Sequence, residues 1–555
     1  MEEPVLMSHE PGKKVTILDC TLRDGGYFTN WQFDKKLAFA LISALNKAGV
    51  DIIEVGYKSP ASHKISGFEG LFRFCTESQL EFLRQQKPAE YSFMIDAKEF
   101  QKGSSVDRSA VSESIAPCEE SLFSWVRVAT YYPNIRGCSE LVPAFKDLGY
   151  KVTLNLMGIS LLSQEELRDA LTVVGGLGPE VFYFSDSFGD LVPADIGGCM
   201  SLIRNYFKGK IGIHTHDSNG LAFANTIEAI RLGVDFVDAT VLGMGRGAGN
   251  LRTEQILLYL YFKEQYNHLN PSELLEVIDS YFVPLQKKHA WGWDYTYMLS
   301  ALQNIHPTYC MNLRASTQYT IEQVSTILNG IEPSKRSAFD EKALLSAIDV
   351  AVNRPLKQDG PLSDIPRYVP VAGDRFLVIA TGPESGQYKD EIQEFIRQHQ
   401  PVVIECNPQD ESFAAVAEKY QSAVLNWARL SKMLDTPTRI KKPVITGIHA
   451  IPEQYQGRMN ILSHPCHVKK GEVAIGRDGL TLPAYVVGMY AVGLALLSQP
   501  AVIYLAGFDG YKDGDNQNQQ EMLVFWEKLK PSAKIISLTP TTYPLNVEPI
   551  FRFIK

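Results

Sequence analysis

The chain has 555 residues, 45% of them hydrophobic, which is material for two or three buried cores rather than one. Lys and Arg number 54 against 63 Asp and Glu, a formal charge of −9, and no long basic run offers a surface that tracks phosphates, so nucleic acid is set aside as a partner. The longest apolar stretch, residues 484–508, is interrupted by Ser498, Gln499 and Pro500, which argues against a membrane span.

MEEPVLMSHEPGKK carries early acids and lacks an apolar core before a small-residue cleavage site, so it does not read as a signal peptide, and a cytoplasmic protein is expected. The eight cysteines include no CxxC pair and read as buried thiols in a reducing compartment.

From Lys13 onward, short β-rich apolar runs alternate with amphipathic helical segments. The expected strands are 15–20, 50–56, 91–96, 125–130, 151–158, 181–186, 210–216 and 236–243. Eight strands in about 250 residues predict a (β/α)8 TIM barrel over 13–270. Residues 271–365 read as a helical appendage capping it. After a Pro- and Gly-rich linker, RFLVIATG, PVVIEC, PVITGI and AVIYLAGF predict a smaller Rossmann-like α/β domain over 372–555.

Polar residues collect at the carboxyl ends of the barrel strands, where active sites of this architecture lie. Arg23, Asp24, Glu54, Asp96, Asn155, Asp186, His214 and His216 all fall there, and so does the loop GMGRGAGN. His214 and His216 stand at i and i+2, so on a strand both project to one face. With Asp24 arriving from strand one, they form an N/O ligand set that suits Mn²⁺ or Mg²⁺, with Zn²⁺ or Fe²⁺ as alternatives. Asn250 supplies a fourth ligand or caps the next helix. Gly243-x-Gly245-x-x-Ala248 matches a dinucleotide fingerprint but sits in the eighth unit of the domain, so Gly245 and Gly247 are assigned to backbone approach by an anionic substrate. Asp186 and Asn155 are substrate-binding candidates, and Tyr295, Tyr297 and His306 lie in the aromatic part of the appendage.

LDCTLRDGG, DIIEVG, NLMG, SDSFGDLVP, HTHDSNGLAFAN and GMGRGAGN, in this order over about 13–265, resemble the DRE-TIM metallolyase superfamily of HMG-CoA lyases, isopropylmalate synthases and 4-hydroxy-2-oxovalerate aldolases. The resemblance implies that the triad naming the superfamily is Asp24, Arg23 and Glu54, and that Asp24 and the two histidines hold a divalent metal. Arg23-Asp24-Gly25 is most similar to the pyruvate-type aldolases, which implies a 2-oxo acid and an aldehyde as substrates. Arg23 would then stabilise the enolate and Glu54 would orient Arg23. These aldolases place a proton-transferring histidine where this chain has Tyr27, and a phenol with a reference pKa of about 10 is a weak base. Related barrels commonly dimerise, which implies a homodimer.

Carboxyltransferases that share the barrel use a lysine on strand five, where only Lys151 stands, at the strand's start. A Claisen-type acyl-CoA condensation, a non-haem iron oxygenase and a non-catalytic scaffold are the competing readings. In the C-terminal domain, Gly382 in a Gly-Pro-Glu-Ser-Gly turn and Asp509 after a buried strand are site candidates. They faintly resemble the sialyltransferase-like and pterin-pyrophosphokinase-like domains of some surface-polysaccharide proteins, which implies a sugar-derived aldehyde. His464, Cys466 and His467 lack further ligands at zinc spacing and read as a loop.

Overall fold

The computed structural model describes residues 14–554 except 61–62, 64–68, 87–88, 103–104, 316–318, 320, 354–361, 426, 436–441, 456, 458, 511–516, 530 and 532. The signal-peptide reading of the first residues and residues 354–361 of the expected linker therefore lie outside the described residues. The chain divides into two compact units, Met1–Met311 with Arg336–Phe339 and Asn312–Lys335 with Asp340–Lys555. The stretch 271–365, expected as one appendage, contributes helices to both.

In the first unit, eight parallel strands close into a barrel. They are β1 (Thr16–Asp19), β2 (Ile52–Tyr57), β3 (Glu90–Asp96), β4 (Trp125–Thr130), β5 (Lys151–Met157), β6 (Val181–Asp186), β7 (Lys210–Thr215) and β8 (Phe236–Ala239). β8 returns to β1 with Asp238 beside Leu18. It is shorter than expected, because after Ala239 the chain turns through Val241–Gly243, with Leu242 at φ 48°, into the glycine-rich loop.

The two-residue period of each strand sorts its side chains. In β4, Val126 and Val128 join the outer core against the helices, while Trp125 packs inside with Leu18, Ile52, Val181, Tyr183 and Phe236. The outer helices are made amphipathic and cleanly ended by their own residues. In helix Lys35–Ala48, Leu37, Leu41 and Leu45 face the core, the Asp34 carboxylate accepts the Lys36 and Leu37 amides, and Gly49 closes the helix at φ 87°.

The second unit contains a parallel sheet of β9 (Arg375–Ile379), β10 (Val402–Cys406), β11 (Tyr420–Val424), β12 (Val444–Thr446), β13 (Ile461–Ser463), β14 (Val502–Ala506), β15 (Lys534–Ser537) and β16 (Asn546–Val547). Their order is β13-β12-β11-β10-β9-β14-β15-β16. Alternate residues of β9 feed two cores: Phe376 and Val378 meet the buried helix Val487–Leu496, and Leu377 and Ile379 meet Ile392, Phe395 and Ile396 of the helix Lys389–His399. Helices therefore cover both faces, and the winding direction reverses between β9 and β14.

Glu405, on β10, is 7% exposed and accepts the Tyr420 hydroxyl at 2.6 Å. Burial raises its pKa from 4.5 to about 7. The folded state thus holds a proton that the unfolded chain has lost, and stability present below pH ~4.5 is lost as pH rises through 7, by about 3 kcal/mol. Glu405→Gln is expected to flatten that pH dependence in denaturant titrations at pH 5 and pH 8. An unchanged slope would remove Glu405 as its source.

Candidate active site

At the carboxyl end of the barrel the expected residues converge. Asp24 stands on the helical turn Thr21–Asp24 that follows β1, and His214 and His216 stand at the end of β7. One ligand atom from each lies within 4.8 Å of the others, and the imidazole centroids are 5.1 Å apart. Burial pushes the Asp24 carboxyl up, but the Arg23 guanidinium, the two imidazoles and the Asn250 amide outweigh it and hold its pKa at about 2. Burial and the neighbouring His214 lower His216 to about 3, so its ring is neutral and keeps a lone pair to donate.

His214 is oriented from behind. Its Nδ1 is 3.0 Å from Asp238 Oδ2, while Nε2 faces Asp24 Oδ2 at 3.8 Å. A carboxylate on one ring nitrogen sets the tautomer that frees the other for a cation.

Asp238 in turn takes both terminal nitrogens of Arg127, whose Nε pairs with Glu54 Oε2 at 2.8 Å. Glu54 Oε1 accepts from Arg23 Nε at 2.7 Å, and Arg23 Nη1 pairs with Asp24 Oδ1 at 2.9 Å. Carboxylates and cations alternate without a break from Asp24 round to His214, all buried in the barrel. Each charge has an opposite neighbour, which is the condition for burying so many. Arg127 also lies 4.4 Å from the Tyr183 ring.

Sequence reasoning missed Arg127 and Asp238. The signal was present, since each is a lone charge at the centre of an apolar strand, in WVRVAT and FVDATV, where burial without a partner is prohibitive.

Asn250 does not cap the following helix, whose N-cap is Arg252. Its amide nitrogen donates to Asp24 Oδ2, and its Oδ1 is buried with no hydrogen-bond partner among the described residues. An orphaned acceptor beside two imidazoles and a carboxylate fits a cation, so Asp24, His214, His216 and Asn250 can hold one. Gly245 keeps that space open, because a Cβ there would stand 2.4 Å from Asn250 Nδ2 and 2.9 Å from Asp24 Oδ2. Gly247, at φ 69°, faces Pro307 and Tyr297 instead, so the structure ties it to packing of the loop.

Asn155 accepts from the Ser185 hydroxyl. The Asp186 side chain accepts the Asp190 amide at 3.1 Å, and burial followed by nearby Asp190 raises its pKa well above the carboxylate range. It does not hold a histidine with its side chain; only its backbone oxygen accepts the His216 amide. The Tyr27 hydroxyl is 3.3 Å from that of Tyr57. Burial, and then Tyr27, keep Tyr57 protonated far above neutrality. In the aromatic segment, Tyr295 is exposed, whereas buried His306 packs 6.1 Å from Phe188.

In the second unit, Gly382 and Asp509 do meet. A Cβ on Gly382 would lie 2.7 Å from the Asp509 carboxyl, which accepts the Glu384 amide at 2.8 Å. One backbone donor of that turn is thus already engaged by a carboxylate. These residues line a cavity of about 320 Å³ with Asn407, Arg429, Phe508 and Tyr543, where the winding of the sheet reverses. His464, Cys466 and His467 belong to no ligand cluster among the described residues. No helix among the described residues is long and apolar enough to cross a membrane.

Residues 14–280 match the HMGL-like family. The chain is 26% identical over 250 residues to a 4-hydroxy-2-oxovalerate aldolase of Geobacillus genomosp. 3, covering 45% of this chain and 71% of that one. It is 28% identical over 249 residues to the Thermus thermophilus protein of the same name, covering 45% and 69%. Among solved structures, the N-terminal domain of a putative aldolase from Bacteroides vulgatus is 33% identical at a TM-score of 0.50, covering 55% of this chain and 97% of that one. A closed parallel barrel, the paired motif residues at its carboxyl end and these similarities agree: through its barrel the chain belongs to the HMGL-like family, and it is a carbon–carbon lyase.

Proposed function

We propose that the barrel is a divalent-metal-dependent aldolase joining a 2-oxo acid, of the pyruvate kind, to an aldehyde, or cleaving the product. The observation that carries this reading is the convergence of Asp24, His214 and His216 beside the orphaned Asn250 Oδ1. When bound there, Mn²⁺ or Mg²⁺ supplies Lewis-acid polarisation of the 2-oxo carbonyl.

The protein's own residues account for the rest. In the joining direction C3 of the 2-oxo acid loses a proton, its electron pair forms the bond to the aldehyde carbon, and the aldehyde oxygen takes up a proton. Arg23, held by Asp24 and Glu54, is a fixed cation for the oxygen that turns negative when C3 is deprotonated. Tyr27 is the side chain proposed for proton transfer, with Tyr57 beside it as a hydroxyl that stays protonated.

The faint resemblance of the C-terminal domain to those of surface-polysaccharide proteins is what supports a sugar-derived aldehyde, and the cavity bordered by Asn407 and Asp509 is a place in that unit for a polar ligand. The relatives named 4-hydroxy-2-oxovalerate aldolase support the 2-oxo acid.

The test is exchange of pyruvate methyl protons in D₂O followed by NMR, then a screen of pyruvate against short alkyl and sugar-derived aldehydes. Exchange is expected to stop on chelation and to return with Mn²⁺ or Mg²⁺ under anaerobic conditions. Chelator-insensitive exchange, or none with any 2-oxo acid, rejects the reading, and sugar-derived aldehydes turned over no faster than alkyl ones remove its sugar component.

A further inference from the structure

Among the described cations near the mouth of the barrel, Arg246 is one that the chemistry above leaves unused and that no carboxylate meets within ion-pair distance. Arg23 has Asp24 and Glu54 within ion-pair distance, Lys58 has Glu77, Arg73 has Glu99 and Lys98 has Asp96. Arg246, in the loop after β8, has no carboxylate in that range among the described residues, and its buried Nε has no hydrogen-bond partner. Its guanidinium lies 5.6 Å from the centroid of the Tyr27 ring. The electrostatic neighbours of this group are Tyr131, Tyr27, Asp24 and Tyr57, which places it beside the ligand cluster.

A half-buried guanidinium with no carboxylate in direct contact is costly, and that cost is reduced by a ligand carrying an anion to it. The loop is built to hold it in place. Arg246 stands between Gly245 and Gly247, where side chains would strike Asn250 and Pro307, so the backbone on either side has one path past the metal ligands.

The charges decide which substrate brings the anion. Arg23 and Arg127 are matched by Glu54 and Asp238, and a divalent ion by Asp24 together with the carboxylate of the 2-oxo acid. Arg246 is left with one positive charge for the second substrate.

We propose that Arg246 is the specificity-determining residue for the aldehyde and receives a phosphate or carboxylate carried on it. This rests on the aldolase reading above. A guanidinium meets either oxyanion through two parallel hydrogen bonds, which a lysine cannot reproduce.

The experiment compares the Mn²⁺-loaded full chain with its Arg246→Gln and Arg246→Lys forms. Pyruvate is supplied with glyceraldehyde 3-phosphate, succinic semialdehyde, glyceraldehyde or butanal. The unsubstituted protein is expected to favour one of the two anionic aldehydes over its neutral counterpart by about 10–100-fold in kcat/KM. Which of the two is favoured tells phosphate from carboxylate. Arg246→Gln is expected to erase the preference through the aldehyde KM, and Arg246→Lys to keep part of it, with pyruvate KM moving far less.

Equal losses with charged and neutral aldehydes overturn the proposal. So does a rise in pyruvate KM as large as that for the aldehyde, since Arg246 would then read the 2-oxo acid. If the unsubstituted protein shows no pyruvate exchange, the aldolase reading itself has failed. In that case phosphate and succinate are titrated by thermal shift: stabilisation lost in Arg246→Gln supports the anion site, and stabilisation retained overturns it.

Discussion

Arg23→Met is expected to lower pyruvate exchange about a hundredfold, equivalent to ~3 kcal/mol of lost charge stabilisation, while Mn²⁺ still binds. The structure explains why the two readouts separate. Arg23 is not among the residues proposed to hold the metal; it reaches Asp24 through Oδ1, whereas His214 and Asn250 meet Asp24 at Oδ2. Removing the guanidinium does not orphan Glu54, whose other oxygen still pairs with Arg127. Methionine retains much of the apolar stem beside the buried turn. Exchange rates by NMR and a Mn²⁺ titration of the same preparation test this. Near-normal exchange would reject Arg23 as the stabilising cation, and loss of Mn²⁺ binding would show that it acts through Asp24.

Asp238→Ala is expected to cost the barrel about 3–5 kcal/mol of stability, because Arg127 loses one of its two buried carboxylate partners. The same substitution is expected to weaken Mn²⁺ binding about 10–100-fold, since His214 Nδ1 loses the acceptor that fixes its tautomer. These effects come from different atoms and can be parted. Arg127→Met combined with Asp238→Leu removes both charges and is expected to recover most of the stability while leaving Mn²⁺ affinity low. Chemical denaturation of the metal-free protein and Mn²⁺ titration read the two quantities. Should affinity return with stability in the double variant, Asp238 would matter for packing alone.

Much of this site was legible before folding. The i, i+2 pair His214 and His216 and the Arg23-Asp24 turn after the first apolar run are local patterns that follow from residue type and strand period, whereas Glu54, expected to end the second run, stands third of six residues inside β2. Arg127 and Asp238 were harder, because a charge inside an apolar strand announces that it needs a partner but not which one. Four strands of the second sheet were also unread. β11 carries Gln421 and Ser422 among its apolar residues, and β12's neighbour β13 is only three residues long, so neither shows a clear period.

Sequence alone determined the barrel and the residue types that gather at the carboxyl ends of its strands, because strand alternation and polar residues at strand ends are properties of short segments. Tertiary structure decided the partners: that Asp238 turns His214, that Asn250 faces Asp24 instead of capping a helix, and that the Arg246 Nε is buried with no hydrogen-bond partner among the described residues. The physical reason is that charge pairing depends on distances of a few ångströms between residues as many as 226 positions apart, and those distances exist only once the barrel has closed.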